Sequence, residues 1–190
     1  MEMKIFTFSA FIILLTVGPL AMPSEPLCVT LASTSQDGLL KKNVVGCSDK
    51  IFLRRAAEII HFEIEASRFV PQKAVSNNLK DFSEYLVNEN LSLIVDIIVV
   101  SLEKGFSPPI EPSPVQSSQL KSLNLNTGHY EKRYVEQIGI SAQIELIQIF
   151  KEAENRTSDN EIRAFTHRHL LLLERRLKKA LALRDYQNRG

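Results

Sequence analysis

Tryptophan is absent from this chain of 190 residues, and cysteine, histidine and glycine are scarce at two, four and seven. So few glycines disfavour a β-sandwich and the glycine-rich turns that cradle nucleotides. The two cysteines, Cys28 and Cys47, match no zinc or redox spacing. Charge of one sign is lacking as well. Lys and Arg number 23 against 22 Asp and Glu, a formal +1, which argues against a nucleic-acid partner held by bulk electrostatics. No phosphate loop, His-Glu-x-x-His or Gly-x-Ser-x-Gly motif occurs, so the enzyme classes built on them are not expected.

What is present suffices for an ordinary core, with 44% hydrophobic and 24% charged residues. The length suits one domain and a leader. Lys4, the apolar run Ile5–Val17, Gly18-Pro19 and Ala21 have the order of a secretory signal peptide. At 13 residues the run falls short of the ~20 that span a bilayer. Cleavage near Ala21 would release a periplasmic or secreted chain, with an uncleaved anchor as the alternative. Leu27-Cys28 puts leucine where a lipoprotein site needs a small residue. In an exported chain Cys28 and Cys47 are candidates for a disulfide, worth ~3 kcal/mol on chain-entropy grounds; two free thiols are the alternative.

Residues 22–47 read as an irregular tail, and 48–185 carry four helical patterns. The first opens at Ser48, repeats Phe52, Ala56, Ile59, Glu63, Ala66 and Val70, and stops at Pro71. The second, capped by Ser76, repeats Leu79, Phe82, Leu86, Asn90, Leu93, Ile97 and Val100 and stops at Gly105. A long connection, 105–125, holds Pro108, Pro109, Pro112 and Pro114 and reads as a crossover. The third helix starts after Thr127, with Val135, Ile138, Ala142, Leu146, Ile149 and Ala153 on one face. The fourth opens at the capping-box spacing Ser158 to Glu161 and repeats Ile162, Phe165, Leu173, Leu177, Ala180 and Leu183. The pattern predicts an all-α four-helix bundle.

Bundles place metal sites among inward carboxylates and histidines. The inner stripes offer Glu63; Glu89 and Asn90; Ser141 and Glu145; His169 and Arg176. An inward Glu63 needs a partner, either a metal or Arg176; the plainer reading puts its carboxylate at the rim. His167 and His169, two apart, face different sides of a helix. The last helix is basic, with Arg163, Arg168, Arg175, Arg176, Lys178, Lys179 and Arg184. Cations late in a helix suit its dipole, and an anionic envelope lipid is the sharper reading. Asn90-Leu91-Ser92 and Asn155-Arg156-Thr157 match glycosylation sequons.

The segments SDKIFLRRAAEIIHFEIEASRFV (48–70), LKDFSEYLVNEN (79–90), HYEKRYVEQI (129–138) and IRAFTHRHLLLLERRLKKA (162–180), with the proline-rich link between them, together resemble a family of exported bacterial domains of unknown function. That family is ferritin-like and commonly named as outer membrane proteins. The resemblance implies a metal constellation of Glu, Asp-His, Asp-His and His on the four helices. Glu63 matches the first Glu. Glu89 keeps the second acid, and Asn90 replaces its His. The third motif is missing around Ser141-Ala142, and Arg176 stands for the last His. Asn is a poor transition-metal ligand and Arg repels a cation. The expectation is therefore a ferritin-like bundle, a non-enzyme in preference to an enzyme, with a degenerate metal site and no cofactor. Glu63 and Arg176 would form a charge pair across the core, beside Glu89 and Asn90. One alternative keeps a transition metal on Glu63, Glu89 and His169. A second makes the chain a module that contacts an envelope component through its basic last helix.

Overall fold

The computed structural model describes residues 46–125 and 128–189. The leader and most of the tail, Cys28 and hence its pairing with Cys47, and the Thr127 cap lie outside those residues. Among the described residues all regular structure is helical: α1 (Cys47–Arg68), α2 (Val70–Lys73), α3 (Asn77–Glu103), α4 (Pro114–Leu125), α5 (Tyr130–Tyr134), a π-helical segment (Val135–Ala142), α6 (Gln143–Arg156) and α7 (Asn160–Gln187). The segment from α5 through the π turns to α6 is one unbroken rod. It packs in a ring with α1, α3 and α7, each touching the next, while α4 lies outside against α1 and α5.

The aliphatic and aromatic stripes account for the core. Phe52, Ala56 and Ile59 of α1, Leu79, Leu86 and Leu93 of α3, Leu146 of α6, and Phe165 and Leu173 of α7 are buried together. At one end of the stack Phe52 meets Phe150 edge to face, with ring centres 5.0 Å apart.

The termini obey local chemistry, with some shifts from expectation. Ser76 caps α3 through Leu79 N–H. The Glu131 carboxylate accepts from Val75 and Ser76 N–H at 2.6 and 2.9 Å, tying the α5 rod to the same helix start. Asp159, and not Ser158, caps α7, accepting from Glu161 and Ile162 N–H. That frees Glu161 for Lys104, which reaches Asp159 and Glu161 at 2.7 Å each from the end of α3. Burial pulls the Lys104 ammonium down, and the two acids outweigh it, leaving it raised.

The proline-rich link is not all connection, because 114–125 is helix. Its start holds a capping box. Gln116 N–H donates to Ser113 Oγ and Ser113 N–H donates to Gln116 Oε1, with Pro114 at the first helical position, where its missing N–H costs nothing.

The π-helical turns change the register of the third rod. Bonds from i to i+5 put more than 3.6 residues in each turn, so the face lags that of an α-helix. Ser141 and Glu145, expected inward, are exposed, and Gln143 is buried. Gly139 is also what lets this rod approach its neighbours. A Cβ there would lie 3.0 Å from Ala180 Cβ and 3.4 Å from Phe82 Cε1.

Candidate functional site

Polar side chains from all four rods of the ring converge in the middle of the core. Glu63 of α1 is fully buried, as are Asn90 of α3 and Gln143 of α6; Arg176 of α7 is 1% exposed. Both carboxylate oxygens of Glu63 are taken. Asn90 Nδ2–H donates to Oε2 at 2.7 Å, and Gln143 Nε2–H donates to Oε1 at 2.8 Å. Asn90 then accepts from Arg176 Nη1–H through Oδ1 at 2.6 Å.

Glu63 and Arg176 therefore do not form the direct charge pair expected of them. One carboxamide stands between them, with its acceptor end on the cation and its donor end on the anion. The ion-pair contact of Arg176 is to Glu89, at 3.6 Å and partly open to solvent. An interposed amide suits two charges on helices that are not immediate neighbours around the ring, because it satisfies both heads without pulling the rods inward.

Burial pushes Glu63 up to about 7; the Arg176 charge and the hydrogen bonds from Asn90 and Gln143 oppose that rise. Its surroundings extend the polar zone along α1. Ser67 Oγ donates to the Glu63 carbonyl and meets Tyr134 Oη at 2.7 Å. Burial raises the Tyr134 phenol far above its ordinary range. Two atoms at the edge of the network have no partner among the described residues, Gln143 Oε1 and Arg176 Nε.

His169 does not reach Glu63. Its Nε2 lies 3.1 Å from Asp96 Oδ2 on α3, and its ring meets that of Phe165 at a tilt of 54°, centres 4.7 Å apart. Burial lowers its pKa despite Asp96, so near neutral pH it faces that carboxylate as a neutral imidazole. The set Glu63, Glu89 and His169 thus does not come together. A Glu-x-x-His spacing of the kind di-iron bundles use does occur, Glu58 to His61, yet it points away from this site. Glu58 lines an outer groove with Arg55, Gln116 and Glu145, and His61 is lowered by burial with the Pro109 backbone beside it. Among the described residues no three of His, Cys, Asp and Glu converge as metal ligands.

The inner site does not fit a cation. N–H donors occupy both Glu63 oxygens, and a guanidinium fills the fourth side. It can hold one proton or exchange it, and it can lock four helices in register. Asn90 is fully buried and bonded at both ends, so its sequon is closed in the folded chain. Asn155 is exposed. A cleft of about 1000 Å³ between Lys73, Ser76, Tyr130, Glu131 and Tyr186 lies apart from the inner network.

Gln143 is the participant absent from the expected inner positions. The signal for it was present: it stands three residues before Leu146 and seven before Phe150, both fully buried, which is the spacing of one α-helical face.

Neither a curated protein nor a solved structure matches the chain. A family model, a domain of unknown function (DUF4142), matches residues 32–183, and the chain belongs to that family.

Proposed function

We propose that this member of the DUF4142 family is an exported, non-catalytic bundle of ferritin-like type whose inner site is held by a charge–amide network where a metal would sit. The observation that carries the reading is the occupancy of Glu63. Asn90 and Gln143 hold its two oxygens by N–H donors, and Arg176 supplies the positive charge through Asn90. The resemblance puts histidines at Asn90 and Arg176. The Asn90 carboxamide supplies an N–H donor as an imidazole would and lacks a nitrogen lone pair to give a metal, and the Arg176 guanidinium has none to give either. Four rods packed in a ring support the ferritin-like arrangement, and the leader-like order of Lys4, Ile5–Val17 and Ala21 supports export.

The test is metal analysis of chain recovered from the exported fraction, with its N-terminus sequenced. Expected are a start after the leader and substoichiometric iron, manganese and zinc, unchanged in Glu63→Gln. A full equivalent of metal lost in Glu63→Gln would overturn the reading of the site, and an intact leader on a cytoplasmic product would overturn export.

A further inference from the structure

Among the described helices α3 alone is long and apolar enough to cross a membrane, yet its inner face is committed to the core through Leu86, Asn90, Leu93 and Ile97. Its excess apolar surface lies outside. Leu91, Val95, Val99 and Leu102 are 43–58% exposed, at spacings of four, four and three that keep them on one side. Exposed aliphatics in such a row mark a surface with a partner.

The same side of the molecule carries cations. Glu89 to Arg176 and Asp96 to His169 set α3 antiparallel to α7. Outward from that seam, by 100° per residue, α3 turns up Val95 and Val99, while α7 turns up Arg168, Leu171 and Arg175, with Lys178 at the rim. Leu171 is 68% exposed. Arg168, Arg175 and Lys178 are exposed and form no ion pair among the described residues. The other α7 cations are committed: Arg163 to the Thr157 carbonyl, Lys179 over the Tyr85 ring at 3.8 Å, Arg184 to Asp185, and Arg176 in the core. The acids nearby are Asp96, in contact with His169, Glu89, paired with Arg176, and Glu174, paired with Lys151; Glu103, exposed one turn past Val99, bounds the face at the end of α3.

The geometry points to the α3–α7 face as a docking surface for an anionic lipid bilayer. Aliphatic side chains flanked by long cations suit a plane of negative headgroups: the stems lie along the apolar region and the charges reach the phosphates. A cleft of about 360 Å³ between Asp81, Phe82, Tyr85, Lys179 and Tyr186 opens farther along the same seam, past Glu89 and Arg176, and is lined by none of Val95, Val99, Arg168, Leu171 or Arg175. The face is independent of the inner network, and either reading can fail with the other intact.

The test is sedimentation of the full chain with phosphatidylglycerol-containing and with pure phosphatidylcholine vesicles. The wild type is compared with Arg168→Gln/Arg175→Gln/Lys178→Gln and with Val95→Asn/Leu171→Asn. Circular dichroism of each variant should match the wild type, since every changed side chain is exposed. Binding should require phosphatidylglycerol, weaken with salt, and fall about fivefold per cation removed, on the order of a hundredfold for the three. The Val95→Asn/Leu171→Asn chain should lose binding as well. Equal binding to both vesicles, or binding unchanged in either variant, would assign it to another segment such as Ile5–Val17 and overturn the inference. So would a dimer in sedimentation velocity that dissociates in Val95→Asn/Leu171→Asn without lipid binding, which would give the face to a second copy.

Discussion

Replacing Glu63 by Gln should remove a pH dependence from the stability of this protein. The ordinary carboxyl value of 4.5 rises to about 7 in the fold, chiefly because the group is fully buried. That is a roughly 300-fold gain in proton affinity, about 3 kcal/mol. The sign comes from linkage. A carboxyl raised in the fold holds a proton that the unfolded chain has already lost, so its contribution is greatest at and below pH 4.5 and is lost as pH rises to about 7. Between about pH 5 and pH 8 the wild type should lose roughly 2.5 kcal/mol through this group. His169 acts oppositely over part of that range, because its lowered pKa costs stability as pH falls below 6.5. Comparing wild type with Glu63→Gln cancels that effect, since His169 is unchanged. The substitution also fits the network. The new amide accepts from Asn90 and donates to Gln143 once that carboxamide turns over, and Gln143 Oε1 has no other partner to lose. Urea unfolding followed by circular dichroism at several pH values reads the difference directly. Glu63→Gln should gain on the wild type by roughly 2.5 kcal/mol from about pH 5 to pH 8. Parallel curves, or a wild type that gains on the variant with rising pH, would refute the reasoning, because the carboxylate would then be solvated or paired better than its burial implies.

Asn90→Leu should cost about 3–5 kcal/mol in the same assay, because it strands a carboxylate and a guanidinium in the core; a loss under about 1 kcal/mol would mean that water or a direct pair replaces the amide. Gly139→Val should destabilise by about 1–3 kcal/mol by pushing into Ala180 and Phe82, read as a lower thermal midpoint. Lys104→Met removes an ammonium only 4% exposed that serves two acids. It should lower the melting temperature clearly, whereas Arg55→Gln at the exposed Arg55–Glu145 pair should change stability by no more than about 1 kcal/mol.

The periodic stripes made the long helices legible, because Phe52 to Val70, Leu79 to Val100 and Ile162 to Leu183 each repeat at a spacing only a helix can bury on one side. Glu63, Asn90 and Arg176 were legible as inward polar positions for the same reason. The Asn90 bridge was not: which of two charges an amide meets depends on where helices stand around the ring, and spacing along one helix says nothing of that. The start of α4 was written in Ser113, Pro114 and Gln116, a capping box masked by the surrounding prolines. Gln143 was legible by the same spacing, three before Leu146 and seven before Phe150, and a stripe drawn through Ala142, Leu146, Ile149 and Ala153 passes beside it.

The π-helical turns have a further consequence for how the inner site can change over time. A π turn takes up an added residue without turning the helix that follows, whereas the same insertion in an unbroken α-helix rotates everything after it by about 100°. Chain length within 135–142 can therefore change while Gln143 keeps facing Glu63. The stretch uncouples the length of the third rod from the side chain it presents to the centre of the bundle.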